Sequence, residues 1–413
     1  MSKSIHAVVV GAELSGLGAV RSLARGAVPT VIVDTNRQRP GMRSWHCRKF
    51  VFETLHGRGL VDGLLEIKKQ FAGRPVLMLT DAMAIGTVSE NREELLKRYR
   101  FHLPPADIVA MLQNEARFHE FATQHDLPVP RTLVLNSLTS TEAPSTLTFP
   151  VVIKVAEKCS SRVEKNERVQ FVATQREAEA ICARLLLAVN EIVVQEWIEG
   201  PDSNICYSLF YLGHRPENFK VFVSRKLASH PNKVGDAALC LPAPEVMDAL
   251  EPLIAKFLDL TDFEGLGSIE FKWDTQQRRH VIIGHSIGQT DRCEEIATLA
   301  GVNLPLASYR DEIDLPPLAA GPINSAVAWR ESALLPGELP VLSPGTRVYD
   351  AYWRLSDPIP GLMHYSKAMV EKFRSRVVEP VLSLRPAKRV GFALGSKLRN
   401  PHNALGKRNS GGH

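Results

Sequence analysis

Residues 263–305 constrain the fold more than any other stretch of the chain. IEFKWD reads as a strand, the polar run through Gln276 to Arg279 as a tight turn, and HVIIG as a second strand, so the segment folds back on itself as a hairpin. An acidic residue, Glu270, stands in this strand between Ile269 and Phe271. Neighbouring strand residues point to opposite faces, so if Ile269 and Phe271 enter a core, Glu270 looks out into a cleft or into solvent. The helix end AGVNLP closes the segment.

The N-terminal pattern is of another kind. IHAVVV is an apolar strand, GAELSGLGAVRSLARG a Gly-bearing turn opening a helix with apolar Leu17, Val20 and Leu23, and PTVIVD a second strand ending at Asp34. This is a βαβ opening, continued by PVLMLTD further on. Gly11, Gly16 and Gly18 follow GxxxxGxG, which is not the GxGxxG of a dinucleotide site. Residues 103–135 then read as two helices and a Pro-bracketed turn into a strand, and 136–149 as a Ser/Thr-rich loop. The strand VVIKVA, the strand RVQFVA, the helix TQREAEAICARLLLAV and the strands EIVVQEWIEG and SNICYSLFYL follow, with a long helix, PEVMDALEPLIAKFLDL, before the hairpin. Residues 316–365 are rich in Pro and Gly around two short aromatic pieces, AVAWRES and VYDAYWRL.

With 413 residues the chain exceeds one core, and its 44% apolar and 23% charged residues are those of a globular protein. No apolar run reaches the ~18 to 20 residues of a membrane helix, and MSKSIHAVVVG does not read as a signal peptide, so a cytoplasmic protein is expected. Six scattered cysteines show neither zinc nor disulfide spacing. From Lys367 onward eleven Lys or Arg face two Glu, a local balance of +9 within a net +5, so the first 366 residues carry −4. The basic tail is expected to contact an acidic partner or an anionic surface, or to be a solvated terminus.

Three motifs in order, FPVVIK, QEWIEG and the hairpin with Glu270, resemble the ATP-grasp superfamily, and EEIATL after the hairpin resembles its carboxylate-amine ligase subgroup. The resemblance implies an α/β and α+β protein: a Rossmann-like domain over 1–103, an ATP-grasp domain of two subdomains clasping ATP over 104–315, and a C-terminal extension over 316–413. It implies ATP and Mg²⁺ as cofactors and small-molecule carboxylate and amine substrates, joined through an acyl phosphate to an amide, or to a thioester with a thiol. By this resemblance Lys154 and Lys165 meet phosphates. The backbone of Gln195, Glu196, Trp197 and Ile198 meets adenine, Asp202 meets ribose or a substrate amine, and Glu270 with Asp291 holds the metal. Arg225 and Lys226 neutralise the reacting groups; adjacent strand residues cannot both face the cleft, and Arg225, with its planar fork, is the expected one. Taken alone, Lys154 is a solvated strand-end lysine and the 195–202 stretch an ordinary strand and turn.

Four positions depart from the family pattern. Glu115 stands where a cation is usual, Ala228 and Gln289 where an arginine is usual, and Gly284 where the second metal carboxylate is usual. Asp274, Asp291 and Glu294 are the acids available to replace it. Two readings stay open: a working ligase with a rebuilt site, or a degenerate ATP-grasp protein that binds nucleotide as a regulator or scaffold. A homodimer is compatible with either.

Overall fold

Strand pairing sorts the chain into three sheets. The structure, a computed structural model, describes residues 5–137, 143–158, 162–335 and 340–373. Residues 1–366 cluster as one unit and 367–413 as a second.

The first sheet is parallel. It contains β1 (Ala7–Val10), β2 (Thr30–Asp34), β3 (Cys47–Val51) and β4 (Val76–Leu79) in the order β3-β2-β1-β4. Helices α1 (Leu14–Ala24), α2 (Gly57–Lys68), α3 (Ala82–Glu90) and α4 (Arg92–Leu96) accompany it. All residues of β1, β2 and β4 are buried, as expected of near-continuous apolar strands covered on both faces. The sequence pattern passes over β3 because it is an edge strand, with Arg48, Lys49 and Val51 exposed. Gly11 after β1 has φ +99°, and a β-carbon there would lie 2.8 Å from Thr80 Oγ1. Asp34 is spent on the same turn, accepting from Ala12 N at 2.8 Å and Asn36 N at 2.9 Å.

Helices α5 (Ala106–Leu112) and α6 (Glu115–Gln124) lead into the second sheet, which is antiparallel. Its strands are β5 (Thr132–Asn136), β6 (Val151–Val155), β7 (Val169–Val172) and, after α7 (Gln175–Leu186), β8 (Glu191–Glu196), ordered β5-β8-β6-β7. Val151, Ile153 and Val155 of β6 pack with Ala178, Cys182 and Leu185 of α7. By alternation Val152 and Lys154 take the opposite face.

The third sheet has seven strands. They are β9 (Ile205–Leu212), β10 (Lys220–His230), β11 (Asp236–Pro242), then after α8 (Met247–Leu260) the hairpin β12 (Gly265–Asp274) and β13 (Arg279–Ile287). After α9 (Glu295–Leu299) and α10 (Leu304–Glu312) come β14 (Val327–Arg330) and β15 (Arg347–Asp350), in the order β13-β12-β9-β10-β11-β14-β15. The aromatic pieces of the Pro/Gly-rich region therefore become the last two strands of this sheet, β14 paired on both sides and β15 at the edge, with Trp329 buried. On one face, Leu250, Ile254 and Phe257 of α8 pack against Ile269, Phe271 and Phe210. Each such side chain contributes about 1.5–3 kcal/mol on burial. A last helix, α11, spans Ile359–Phe373.

A buried ion network fastens residues 350–357 to the body. Arg21 of α1 meets Asp357 at 3.1 Å and Glu295 at 3.4 Å, and Arg354 meets Glu295 at 2.8 Å. Glu295 thus serves architecture. The described cysteines, Cys47, Cys182, Cys206, Cys240 and Cys293, are all free and buried.

Candidate functional site

The second and third sheets face one another across a cleft of about 290 Å³. The period of two along each strand decides what enters it. From β6 come Val152 and Lys154, from β12 Ser268, Glu270 and Lys272, and from β10 Lys226. Five lysines (154, 158, 226, 233, 272) and five carboxylates (Glu115, Glu196, Asp236, Glu270, Asp291) line it. Charge in the cleft is therefore balanced within the protein.

At one end, Lys154 Nζ donates to Ile283 O at 2.8 Å and Lys158 Nζ to His285 O at 3.0 Å. Between them stands Glu115, 3.6 Å from Lys154 and 3.2 Å from Lys158. Burial opposes the Glu115 charge, but the two ammonium groups overcome it and hold the carboxyl well below the usual carboxylate range. His285 is pushed down to about 3 by burial and by Lys158, so the imidazole is neutral. Its Nε2 lies 2.7 Å from Leu112 O. Lys158 has no motif to mark it in the sequence.

In the middle, Lys226 Nζ meets Glu270 Oε1 at 2.5 Å. Burial opposes the charge of Lys226, yet Glu270, Asp291 and Asp236 together hold its pKa above the ordinary lysine value. Asp291 is pushed up by burial and then by Asp236 and Glu270. The expectation that Arg225 faces the cleft is corrected: Arg225 turns away, donating to Ser203 O at 2.9 Å and pairing with Glu245 at 2.7 Å. Strand parity sends Lys226 inward instead. Of the acids available beside Glu270, only Asp291 lines the cleft. Asp274 caps the turn through Gln276 N and Gln277 N, and Glu294 turns to Ser22.

At the far end lie Gln195, Glu196, Trp197 and Ile198. Two of their amides are already committed, Glu196 N to Arg131 O at 2.8 Å and Trp197 N to Pro150 O at 3.0 Å. Lys272 stands 3.8 Å over the Trp197 ring, and burial lowers its pKa to about 8. Asp202 is outside the cleft lining; its Oδ2 accepts from Ser229 N and Oγ, both at 2.7 Å. Lys165 opens a short turn, Lys165–Glu167, and its side chain lies outside the described residues.

Two facing sheets with lysines on both and the Glu270–Asp291 pair on one side of the cleft can grip a polyphosphate and a hard cation. Solved structures with this architecture include the ADP complex of an N5-carboxyaminoimidazole ribonucleotide synthetase, at TM-score 0.60 and 13% identity over 78% of this chain and 81% of that one. They include also the biotin carboxylase domain of the Hydrogenobacter thermophilus 2-oxoglutarate carboxylase, at TM-score 0.58 and 14% identity over 79% and 74%. The chain has the ATP-grasp fold. Among curated proteins, the D-aspartate ligase of Enterococcus faecium (strain Aus0004) is 24% identical over 237 residues, 55% of this chain. The match spans 56% of that relative's length. No family model matches this chain. Among its described residues no helix is long and apolar enough to cross a membrane.

Proposed function

We propose that the chain is an ATP-dependent carboxylate-amine ligase. One observation carries this reading: Lys154 on one sheet and Lys226 with Glu270 on the facing sheet line a single cleft that also receives the 195–198 strand end. In the reaction, a carboxylate oxygen of one substrate attacks the γ-phosphorus of ATP and ADP leaves. The amine nitrogen of a second substrate then attacks the acyl carbon, phosphate leaves, and an amide remains. The protein's part is positioning and neutralisation of charge. Lys154 and Lys158 hold phosphate oxygens, Lys226 faces the charge that develops at the transferred group, and Trp197 and Ile198 wall the base.

Mg²⁺ takes one or two carboxylates plus phosphate oxygens, and Glu270 with Asp291 supplies that donor set. No three His, Cys, Asp or Glu side chains gather as a preformed cage among the described residues, so the phosphates would complete the shell. When bound, the cation would neutralise the phosphates and favour attack on phosphorus.

The same reading divides the chain into a Rossmann-like domain over 1–103, an ATP-grasp domain over 104–315 and an extension over 316–413. It places the protein in the cytoplasm, with the basic tail as a contact for an anionic surface. A homodimer fits it. The name of the curated relative suggests amino acids as amine donors, D-aspartate among them.

Calorimetry with ATP on wild type and Lys154→Ala tests nucleotide binding, and ADP release with a panel of carboxylates and amino acids tests turnover. Binding lost in Lys154→Ala, and ADP release that needs both substrates, are expected. Wild type that fails to bind ATP at millimolar concentration would remove the proposal.

A further inference from the structure

The best-prepared anion position in the cleft is filled by the chain's own carboxylate. Glu115 is the first residue of α6, where the helix dipole favours negative charge. Asn114 caps that helix, accepting from Ala116 N at 2.9 Å and Arg117 N at 3.0 Å, and Glu115 N itself donates to Ala156 O at 2.8 Å. The backbone of Glu115 is thus pinned. Its carboxylate, 15% exposed, is held between Lys154 and Lys158. Two lysines converging beside the positive end of a helix dipole make the kind of site that takes a phosphate group.

We propose that Glu115 is a specificity-determining residue: its carboxylate holds the Lys154–Lys158 pair and gives it up to the terminal phosphates of a nucleoside di- or triphosphate. This rests on the nucleotide-binding reading of the cleft. The three side chains carry +1 together, so an arriving phosphate meets two cations that are already half neutralised. Its gain is the new lysine–phosphate attraction minus the lysine–carboxylate attraction that is lost. Leaving the carboxylate in place beside the phosphate is no cheaper, because two anions a few ångströms apart in a poorly solvated site repel strongly. A ligand with several phosphate charges can outcompete one carboxylate. Adenosine cannot, and has nothing to gain from displacing it.

Glu115 therefore sets a threshold on phosphate charge. A role limited to positioning the two lysines makes the opposite forecast, because loss of the carboxylate would then disorder them and weaken every phosphate ligand.

The two are separated by calorimetric affinities of ATP, ADP and adenosine for full-length wild type and Glu115→Gln. The expected result is tighter ATP and ADP binding in Glu115→Gln, by a factor on the order of ten, with adenosine unchanged. Two half-buried lysines left without their acid weaken the fold of the single variant, so the same comparison is made in a Lys158→Met background, where Lys158→Met and Glu115→Gln/Lys158→Met differ only in whether Lys154 is paired. The double variant is expected to bind ATP more tightly than Lys158→Met by a similar factor. Unchanged or weaker ATP binding on removal of the carboxylate, in a protein whose wild type binds ATP, overturns the inference and leaves the ligase reading standing. ATP binding absent from wild type overturns both the inference and the reading it rests on.

Discussion

Glu270 and Gly284 are cross-strand partners in the hairpin, and a β-carbon on residue 284 would lie 3.1 Å from Glu270 Oε2 and 3.6 Å from its Cβ. A glutamate at 284 would thus share its space with Glu270. Without a cation, two such carboxylates repel and raise each other's pKa; with Mg²⁺, they complete an oxygen shell. Gly284→Glu is accordingly expected to bind ATP more weakly than wild type in chelator and more tightly in millimolar Mg²⁺, by about tenfold in the second case. Calorimetry under both conditions decides it. An identical Mg²⁺ dependence in the two proteins would show that residue 284 is not beside the cation.

The inward position of Lys226 and the outward position of Arg225 carry different kinetic weight. Lys226→Met removes the ammonium that Glu270, Asp291 and Asp236 surround, and substrate-dependent ADP formation is expected to fall on the order of a hundredfold. Arg225→Met removes contacts to Ser203 and Glu245 on the other face, and kcat should stay within about threefold of wild type, since surface pairs contribute little. Melting curves of both variants control for folding. A larger loss in Arg225→Met would reverse the assignment.

Glu294 forecasts a pH dependence of stability. Burial, then the neighbouring Glu295, raises its pKa from 4.5 to about 8, and its Oε2 has no hydrogen-bond partner. The native state therefore binds more protons than the unfolded chain between those two values, so this group's contribution is full below about pH 4.5 and is lost as pH rises through 8. Glu294→Gln keeps the hydrogen-bonding shape without the charge. Its melting temperature should match wild type near pH 5 and exceed it near pH 8.5, by the equivalent of about 2–4 kcal/mol. A constant gap between the two proteins across this range would show that Glu294 does not titrate there.

The basic tail offers a separate test. Its final residues, 374–413, lie outside the described residues, and the +9 balance from Lys367 onward belongs to the sequence. Deleting 385–413 should abolish salt-dependent binding to anionic phospholipid vesicles while ATP affinity stays as in wild type. Retention of vesicle binding after the deletion would assign it to another surface.

Chain-local pattern was enough for the strands whose both faces are buried, such as AVVV and VLML, and for the order of the motifs around Lys154, Gln195 and Glu270. Apolar periodicity and turn chemistry are written in consecutive residues, so these elements are legible one segment at a time. It failed for β3, where an edge position permits charged residues, for β14, which needs a partner strand more than 80 residues away, and for β15, which forms only against β14. The site divides in the same way. That only one of Arg225 and Lys226 enters the cleft follows from strand parity, but which one depends on the face β10 turns toward the second sheet. Lys158 and His285 belong to no motif, and the role of Glu115 as partner to two lysines arises only when α6 is laid against β6. Coulomb interaction depends on distance in space, and the 39 to 170 positions that separate these residues along the chain carry no trace of it.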